Sequence, residues 1–391
     1  MRFWRLSALL TAAILPGRSS LALPADIARL AEEGSAQLYN LEFDRAFATF
    51  NRLAAAHPEH PAGYGLLASA RWWEARYAFT KPDARSNALV TKELDTAIKL
   101  ARAMAARPGE WCEGEFFLGG ALGIRAHWEL VQHNWVAAAI GARRSVTVLG
   151  PMVTCTPYGD EAMFGLGLYE YAAARLPWSL RWLSRYITGV GADSSGGLAK
   201  LEHAAVQAHW VRTDAQATLV NAYTYYDRDA VRALRFAGMF RHEHPDSPMA
   251  HTLYAQSLAI SGRFAETLEA VDTSLARGRE PGSTFALETT AYDYWRGIAL
   301  LGLGRPADAV DAFTRAIGAA GRAPWITSAL LKRGCAHDLL GQRALAVADY
   351  RAMLRRPDPW EEARLARTHL KTPFTWKDFD HEIAPHRGKS R

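Results

Sequence analysis

The amino-acid sequence predicts an all-α protein built from repeated pairs of helices. Alanine and leucine recur throughout the 391 residues, while runs of valine, isoleucine and threonine are few, which favours helix over sheet. Small and aromatic residues return at the spacing of a helical hairpin, and glycine and proline separate the helices. Hydrophobic residues make up 49% of the chain and charged residues 22%, so a chain of this length can bury a large core.

The first repeat unit shows the pattern most completely. Ala46 and Phe50 lie one helical turn apart on one face, where the alanine allows a close approach and the ring fills the groove beside it. Pro58 ends this helix because proline has no N–H to donate. Gly34 and Ala68 are equivalent close-packed positions in successive units, and their separation of 34 residues is a period typical of helical repeats.

The C-terminal part of the chain repeats this arrangement. Ala309 with Phe313, and Ala346 with Tyr350, have the same separation of four residues as the first pair. A turn glycine precedes each pair, Gly304 in one case and Gly341 in the other. We therefore expect about eight helical hairpins over residues 26–356.

With these motifs the chain resembles the tetratricopeptide-repeat (TPR) family over roughly residues 26–356. Residues 38–44, 57–64 and 160–169 are similar to segments of secreted bacterial members of unassigned activity. The resemblance implies a right-handed superhelical solenoid whose concave groove binds peptides or partner proteins. Later periods of 37 and 42 residues depart from the family pattern, so a regular peptide clamp is not expected.

Two insertions interrupt the predicted repeats, at about residues 72–85 and 174–197. In the first, we expect Trp72 and Trp73 to cap the core, and an exposed binding ledge is the alternative.

The spacing of apolar residues in the second insertion predicts a short amphipathic helix over residues 176–187. Trp178 and Trp182 lie on its apolar side, opposite two arginines. Packing against the protein's own repeats is the first expectation, and contact with a partner or with a membrane surface are the alternatives.

The two ends of the chain differ from the repeats. Residues 1–22 combine a basic start, a short apolar run and small residues before a cleavage site, which is typical of a signal peptide. The apolar run is about half of the ~20 residues that a membrane-spanning helix needs. We expect export to the periplasm or beyond, with an uncleaved anchor as the alternative. Residues 357–391 lose the repeat pattern and predict a capping segment with a mobile tail.

The net charge and the cysteine content argue against two classes of protein, nucleic-acid-binding proteins and disulfide scaffolds. Three arginines lie in residues 1–22, so the formal charge of +6 falls to +3 without this segment, which argues against nucleic-acid binding. Three cysteines are too few for a disulfide scaffold. We expect three separate buried side chains; if a bridge forms, Cys112 and Cys155 are the favoured pair because they fall in neighbouring repeats.

The sequence contains no motif that predicts a catalytic, cofactor or metal site. His242 and His244 are two residues apart, which places them on diverging sides of a helix instead of aligning them as zinc-binding helices require. Ser194 and Ser195 do not match the Gly-x-Ser-x-Gly nucleophile motif. The glycine-rich segment 189–197 lacks the Lys-Ser/Thr of a phosphate loop and is interpreted as a linker before a helix.

The leading hypothesis is therefore a scaffold or adaptor, without catalysis, that holds a protein or peptide partner in its concave face. We expect the partner to contact side chains that project from the first helices of the hairpins. By their positions on these helices the candidates are Asn40, Tyr64, Arg71, Tyr169, Asn221, Tyr225 and Arg296. The rival hypothesis is a small-ligand receptor or enzyme, with an aromatic pocket near these residues: Trp128, Tyr169, Tyr171 and Trp182. A third is attachment to a membrane surface through residues 176–187. A closed cavity with converging carboxylates or histidines would favour the rival, and an open groove would favour the adaptor.

Overall fold

The computed structural model describes residues 23–78, 82–175, 193–319, 323–358 and 360–382. Within these ranges the regular structure is entirely helical, and it forms eight consecutive hairpins followed by two short helices. The hairpins are α1 (Ala25–Tyr39) with α2 (Phe43–Ala56), α3 (Pro61–Ala78) with α4 (Ala84–Ala105), α5 (Trp111–Val131) with α6 (Trp135–Leu149), α7 (Gly159–Ala174) with α8 (Ser194–Gln207), α9 (Arg212–Asn221) with α10 (Ala230–Glu243), α11 (Pro248–Ile260) with α12 (Phe264–Arg277), α13 (Thr289–Gly302) with α14 (Pro306–Gly318), and α15 (Ala323–Leu339) with α16 (Arg343–Leu354). The final helices are α17 (Ala363–Lys371) and α18 (Trp376–Glu382).

The hairpins stack side by side into a helical solenoid, as the sequence predicts. Each helix from α1 to α16 packs against the next one along the chain. Except for α7 and α9, the first helices of successive hairpins also contact one another, whereas the second helices do not make comparable contacts among themselves. The first helices therefore form a closely spaced inner row, and the second helices form an outer row on the convex side.

One glycine–aromatic contact recurs within the hairpins. It joins a glycine of a first helix to a fully buried ring of its second helix, in the pairs Gly34–Phe50, Gly297–Phe313 and Gly334–Tyr350. A Cβ atom added at any of these glycines would lie 2.3 to 2.5 Å from a ring carbon. The contact requires the absence of a side chain, which explains why the sequence period is marked by small residues.

The third hairpin contains a disulfide between Cys112 and Cys155, while Cys335 is a buried free thiol. The expectation of three separate cysteines is wrong, and the pair named as the alternative is the one that forms. The bridge forms because α5 begins beside the turn Gly150–Thr154, which follows α6. The Cα atoms of Cys112 and Cys155 therefore lie 5.9 Å apart.

The two insertions differ in how far they are described. α3 extends into the first one and ends at Ala78, and Trp72 and Trp73 are partly buried against the core. The predicted helix with Trp178 and Trp182 lies outside the described residues, as does the predicted signal peptide 1–22.

The last hairpin is covered by the two short helices. Phe374 and Phe379 are buried in the same core as α13 to α16, and Leu370 packs against that core. The ring of Trp360 lies 4.7 Å from that of Trp325. This end of the solenoid is therefore shielded from water, as the open end of a repeat array requires.

Candidate partner-binding surface on the inner face

The inner face of the C-terminal half carries side chains from successive first helices. After α9 the chain forms a π-helical turn, Ala222–Tyr226, which aims two tyrosines away from the core. Tyr225 is 54% exposed and Tyr226 is 64% exposed. Such π-turns are often associated with functional sites because the wider turn changes the direction of its side chains. Sequence periodicity does not reveal this turn.

Two buried N–H donors lie on the neighbouring inner helices. Gln256 of α11 is 2% exposed; its Oε1 accepts a hydrogen bond from the Tyr225 hydroxyl at 3.3 Å, but its Nε2 has no partner in the described part of the chain. Trp295 of α13 is 7% exposed, and its indole N–H likewise has no partner among the described residues. A buried donor without an acceptor costs about 1–3 kcal/mol, so these groups require an explanation.

Aromatic rings surround the indole of Trp295. The rings of Tyr294 and Trp325 are 5.2 Å apart, and those of Trp295 and Trp325 are 5.9 Å apart. Burial, together with the nearby Glu362 carboxylate, raises the pKa of Tyr294 well above its ordinary value, so this phenol stays neutral. These rings belong to the buried core of α13 to α16, so the exposed aromatic part of the inner face is formed by Tyr225 and Tyr226.

The inner face of the N-terminal half is closed by contacts across the solenoid. The hydroxyl of Tyr39 donates to Asp214 Oδ2 at 2.8 Å, and the hydroxyl of Ser247 donates to the carbonyl oxygen of Tyr39 at 2.6 Å. The Tyr39 ring also lies 4.9 Å from the His244 ring. The first hairpin therefore contacts the fifth and sixth, and the inner face is not one continuous groove.

Burial raises the pKa of Asp214 to about 6, although hydrogen bonds from Tyr39 and Trp73 oppose the shift. Burial lowers the pKa of His244 to about 4, so its imidazole is neutral near pH 7 and lies 2.8 Å from the hydroxyl of Thr213. Near pH 7 the contact between the first and fifth hairpins therefore holds a neutral His244, whereas Asp214 is mostly ionised and is stabilised by the hydrogen bonds from Tyr39 and Trp73.

Beside this contact lies a cleft of about 470 Å³. It is lined by Glu32, Ser35, Ala36, Tyr39, His209, Trp210, Arg212, Thr213, His242, Glu243 and His244. Its polar side chains contact one another: His209 Nε2 lies 3.0 Å from Glu32 Oε1, and Arg212 Nε lies 3.4 Å from Glu243 Oε2. Within the described ranges there is no group of three His, Cys, Asp or Glu side chains that could hold a metal ion.

The rim of the cleft is held by a single buried carboxylate. Glu161 is 4% exposed and accepts hydrogen bonds from the backbone N–H groups of residues 209, 210 and 211, at 2.6 to 3.2 Å. Burial raises its pKa, while these hydrogen bonds oppose the shift. The sequence shows Glu161 only as an acidic residue in the first turn of a helix, so its role in holding a distant loop could not be predicted.

The predicted contact residues are dispersed. Arg71 donates to both carboxylate oxygens of Glu93 in α4, at 2.9 and 3.0 Å, and Arg296 pairs with Asp272 of α12 at 3.1 Å. Both arginines therefore reach towards outer helices. Tyr225 is the one that lies beside an unpartnered donor, that of Gln256.

The other predicted contact residues make local interactions. Asn40 follows the last residue of α1, and Asn221 donates to the carbonyl oxygen of Ala217 at 3.0 Å. Tyr64 and Tyr169 are partly buried and pack against core clusters.

The aromatic residues of the rival hypothesis do not share a pocket in the described structure. Trp128 is 2% exposed and donates to Asn87, whereas Tyr171 bonds to Asp227, and the two residues belong to different core clusters. Tyr169 packs in a third cluster, and Trp182 lies outside the described residues.

Comparison with known proteins adds little to this description. No protein-family model and no curated protein matches the chain. Among solved structures, the chain is similar to the crystal structure of the P58(IPK) TPR domain, with 15% identity, over 89% of this chain and 98% of that one. The TM-score is 0.25, so the fold assignment depends on the packing of the helices themselves. None of the helices in the described ranges is long and apolar enough to cross a bilayer.

Proposed function

We propose that the protein is a non-catalytic scaffold that binds an extended segment of a partner protein along the inner face of its fifth to seventh hairpins. The observation that carries the proposal is the exposed pair Tyr225 and Tyr226, which the π-helical turn presents on the inner row beside Gln256. The buried N–H donors of Gln256 and Trp295, which have no partner in the described structure, lie behind this exposed surface. Carbonyl oxygens of an extended peptide are acceptors of the required kind, and its side chains would contact the neighbouring aromatic rings. Tyr225 marks the exposed edge of this surface.

Site-specific photo-crosslinking tests the location. A photoreactive phenylalanine replaces Tyr225 in the intact protein, and a matched variant carries it at Val231, which is 81% exposed on α10. We expect discrete adducts of one or a few proteins from position 225, identified by mass spectrometry, and none of these from position 231. The same adducts from both positions would contradict the proposal.

A quantitative test follows once a crosslinked partner is purified. Trp295→Phe keeps an aromatic ring and removes the unpartnered N–H, so it should weaken binding about two- to tenfold, the net value of one hydrogen bond. An unchanged dissociation constant would show that the indole N–H does not contact the partner.

We also propose that the protein is exported. The disulfide between Cys112 and Cys155 supports this, because disulfides persist mainly in oxidising compartments. The signal-peptide features of residues 1–22 point the same way. Cell fractionation with N-terminal sequencing should find the protein outside the cytoplasm with residue 23 first; cytoplasmic protein that retains residues 1–22 would contradict export.

A second candidate is a small-ligand receptor that uses the cleft beside Tyr39. Its volume of about 470 Å³ falls in the range of ligand sites. The test is a thermal-shift screen of small metabolites with the wild type and with Arg212→Leu. A ligand that stabilises only the wild type would favour this candidate, and the absence of any stabilising ligand would count against it.

A further inference from the structure

The outward face of α6 is apolar, although this helix belongs to the outer row. Val136 is 75% exposed and Ile140 is 44% exposed, and they lie one turn apart on the same side of the helix. Trp135 beside them is 64% exposed, and Leu130 at the end of α5 is 41% exposed. These residues form a continuous run of exposed apolar side chains between the third hairpin and water.

Two arginines lie on the next turn of α6, after these apolar residues. Arg143 and Arg144 are exposed, and neither forms an ion pair with a described residue. Residues 130–159 contain no Asp or Glu. The nearest carboxylate along the chain, that of Glu129, accepts a hydrogen bond from Asn134 at 2.8 Å.

The absence of an acidic residue distinguishes α6 from the other helices of the outer row. Each of them contains at least one acidic residue, for example Asp44, Glu93, Glu202, Glu243, Glu266, Asp308 and Asp349. A helix with exposed Trp, Val and Ile, no carboxylate and two arginines that pair with no described residue is complementary to an anionic surface with an apolar interior. Because α6 lies on the convex side, it can rest on a flat surface but provides no groove for a peptide.

We propose that α6 docks the protein on the surface of an anionic membrane. Trp135, Val136 and Ile140 enter the boundary between headgroups and acyl chains, while Arg143 and Arg144 face the lipid phosphates. The contact is peripheral and reversible, since it uses three apolar side chains and two charges. The inner face remains accessible, so this surface is independent of the proposed partner-binding surface.

Vesicle flotation of the intact chain tests the proposal. One set of vesicles contains phosphatidylcholine alone, and the other contains phosphatidylglycerol at about 30%. We expect the protein to float with the anionic vesicles more than with the neutral ones, and less as salt is raised. Arg143→Gln and Arg144→Gln should each lower the partition coefficient about fivefold, since each cation near such a surface contributes a comparable amount.

The apolar face is tested by Val136→Asp combined with Ile140→Asp, which should abolish the preference for anionic vesicles. The matched control is Val231→Asp, since Val231 is an equally exposed valine on the outer helix α10 and should leave flotation unchanged. Circular dichroism verifies that each variant is folded. Equal flotation of wild type and the double variant would overturn the proposal. So would self-association of the wild type, seen by sedimentation and lost in the double variant, if no flotation occurs.

Discussion

The glycine–aromatic contact of the seventh hairpin allows a sharp test of what holds the repeats together. In Gly297→Ala the new methyl group would lie 2.5 Å from Cε1 of Phe313 and 2.6 Å from its Cζ. The ring is fully buried and cannot turn away without displacing its neighbours. Forcing a methyl group into a packed core costs about 1–3 kcal/mol. Alanine is better than glycine inside a helix by about 1 kcal/mol, so we expect a net loss of up to about 2 kcal/mol.

Gly238→Ala is the matched control, because Gly238 lies inside α10 and a Cβ there would meet no atom within 4 Å. This substitution gains helix propensity without a clash and should stabilise the protein by about 0.5–1 kcal/mol. The same chemical change should therefore have opposite signs at the two positions. Urea denaturation followed by circular dichroism measures both as shifts of the midpoint.

A second substitution identifies the clash as the cause. Gly297→Ala combined with Phe313→Leu should be less destabilised than the sum of the two single variants, because the smaller side chain makes room for the methyl group. The reasoning is refuted if Gly297→Ala and Gly238→Ala shift the midpoint in the same direction by similar amounts, or if the two effects at the hairpin are additive.

Three further predictions concern the disulfide, the unpartnered donor and the contact across the solenoid. Reduction of the bridge between Cys112 and Cys155, which are 43 residues apart, should lower the free energy of unfolding by about 2–4 kcal/mol, measured by urea denaturation with and without reductant; equal midpoints would contradict this. Trp295→Phe should cost about 1 kcal/mol less stability than Trp128→Phe, because only the latter breaks a hydrogen bond; equal losses would mean that the N–H of Trp295 is satisfied. The pKa of Asp214 is raised to about 6 from 3.8, so its contribution to stability is greatest below pH 3.8 and declines as the pH rises to about 6. Asp214→Asn should remove this decline, and a wild-type-minus-variant difference that is constant from pH 4 to 7 would rule it out.

The hairpins themselves could be predicted from the sequence because their determinants are local. Gly34 and Phe50 mark a contact within one hairpin, and Pro58 ends its second helix wherever the hairpin lies in the solenoid. The all-α class, the stacking of helix pairs and their number of about eight are confirmed by the described helices. The exposed apolar residues of α6 are also visible in the sequence, but only their position in the outer row shows that nothing in the described structure covers them.

The inner face was decided by the tertiary structure. Tyr39 meets Asp214 across 175 residues because small rotations between successive hairpins add up, and no local pattern records their sum. The same rotations set which side of each first helix faces inward. Arg71 turns to an outer helix, whereas Gln256 lies beside Tyr225 on the inner row. Sequence spacing identifies the helices that can line a groove. The rotation of each helix about its own axis selects the side chains that face the groove, and this rotation depends on the packing of all the preceding helices.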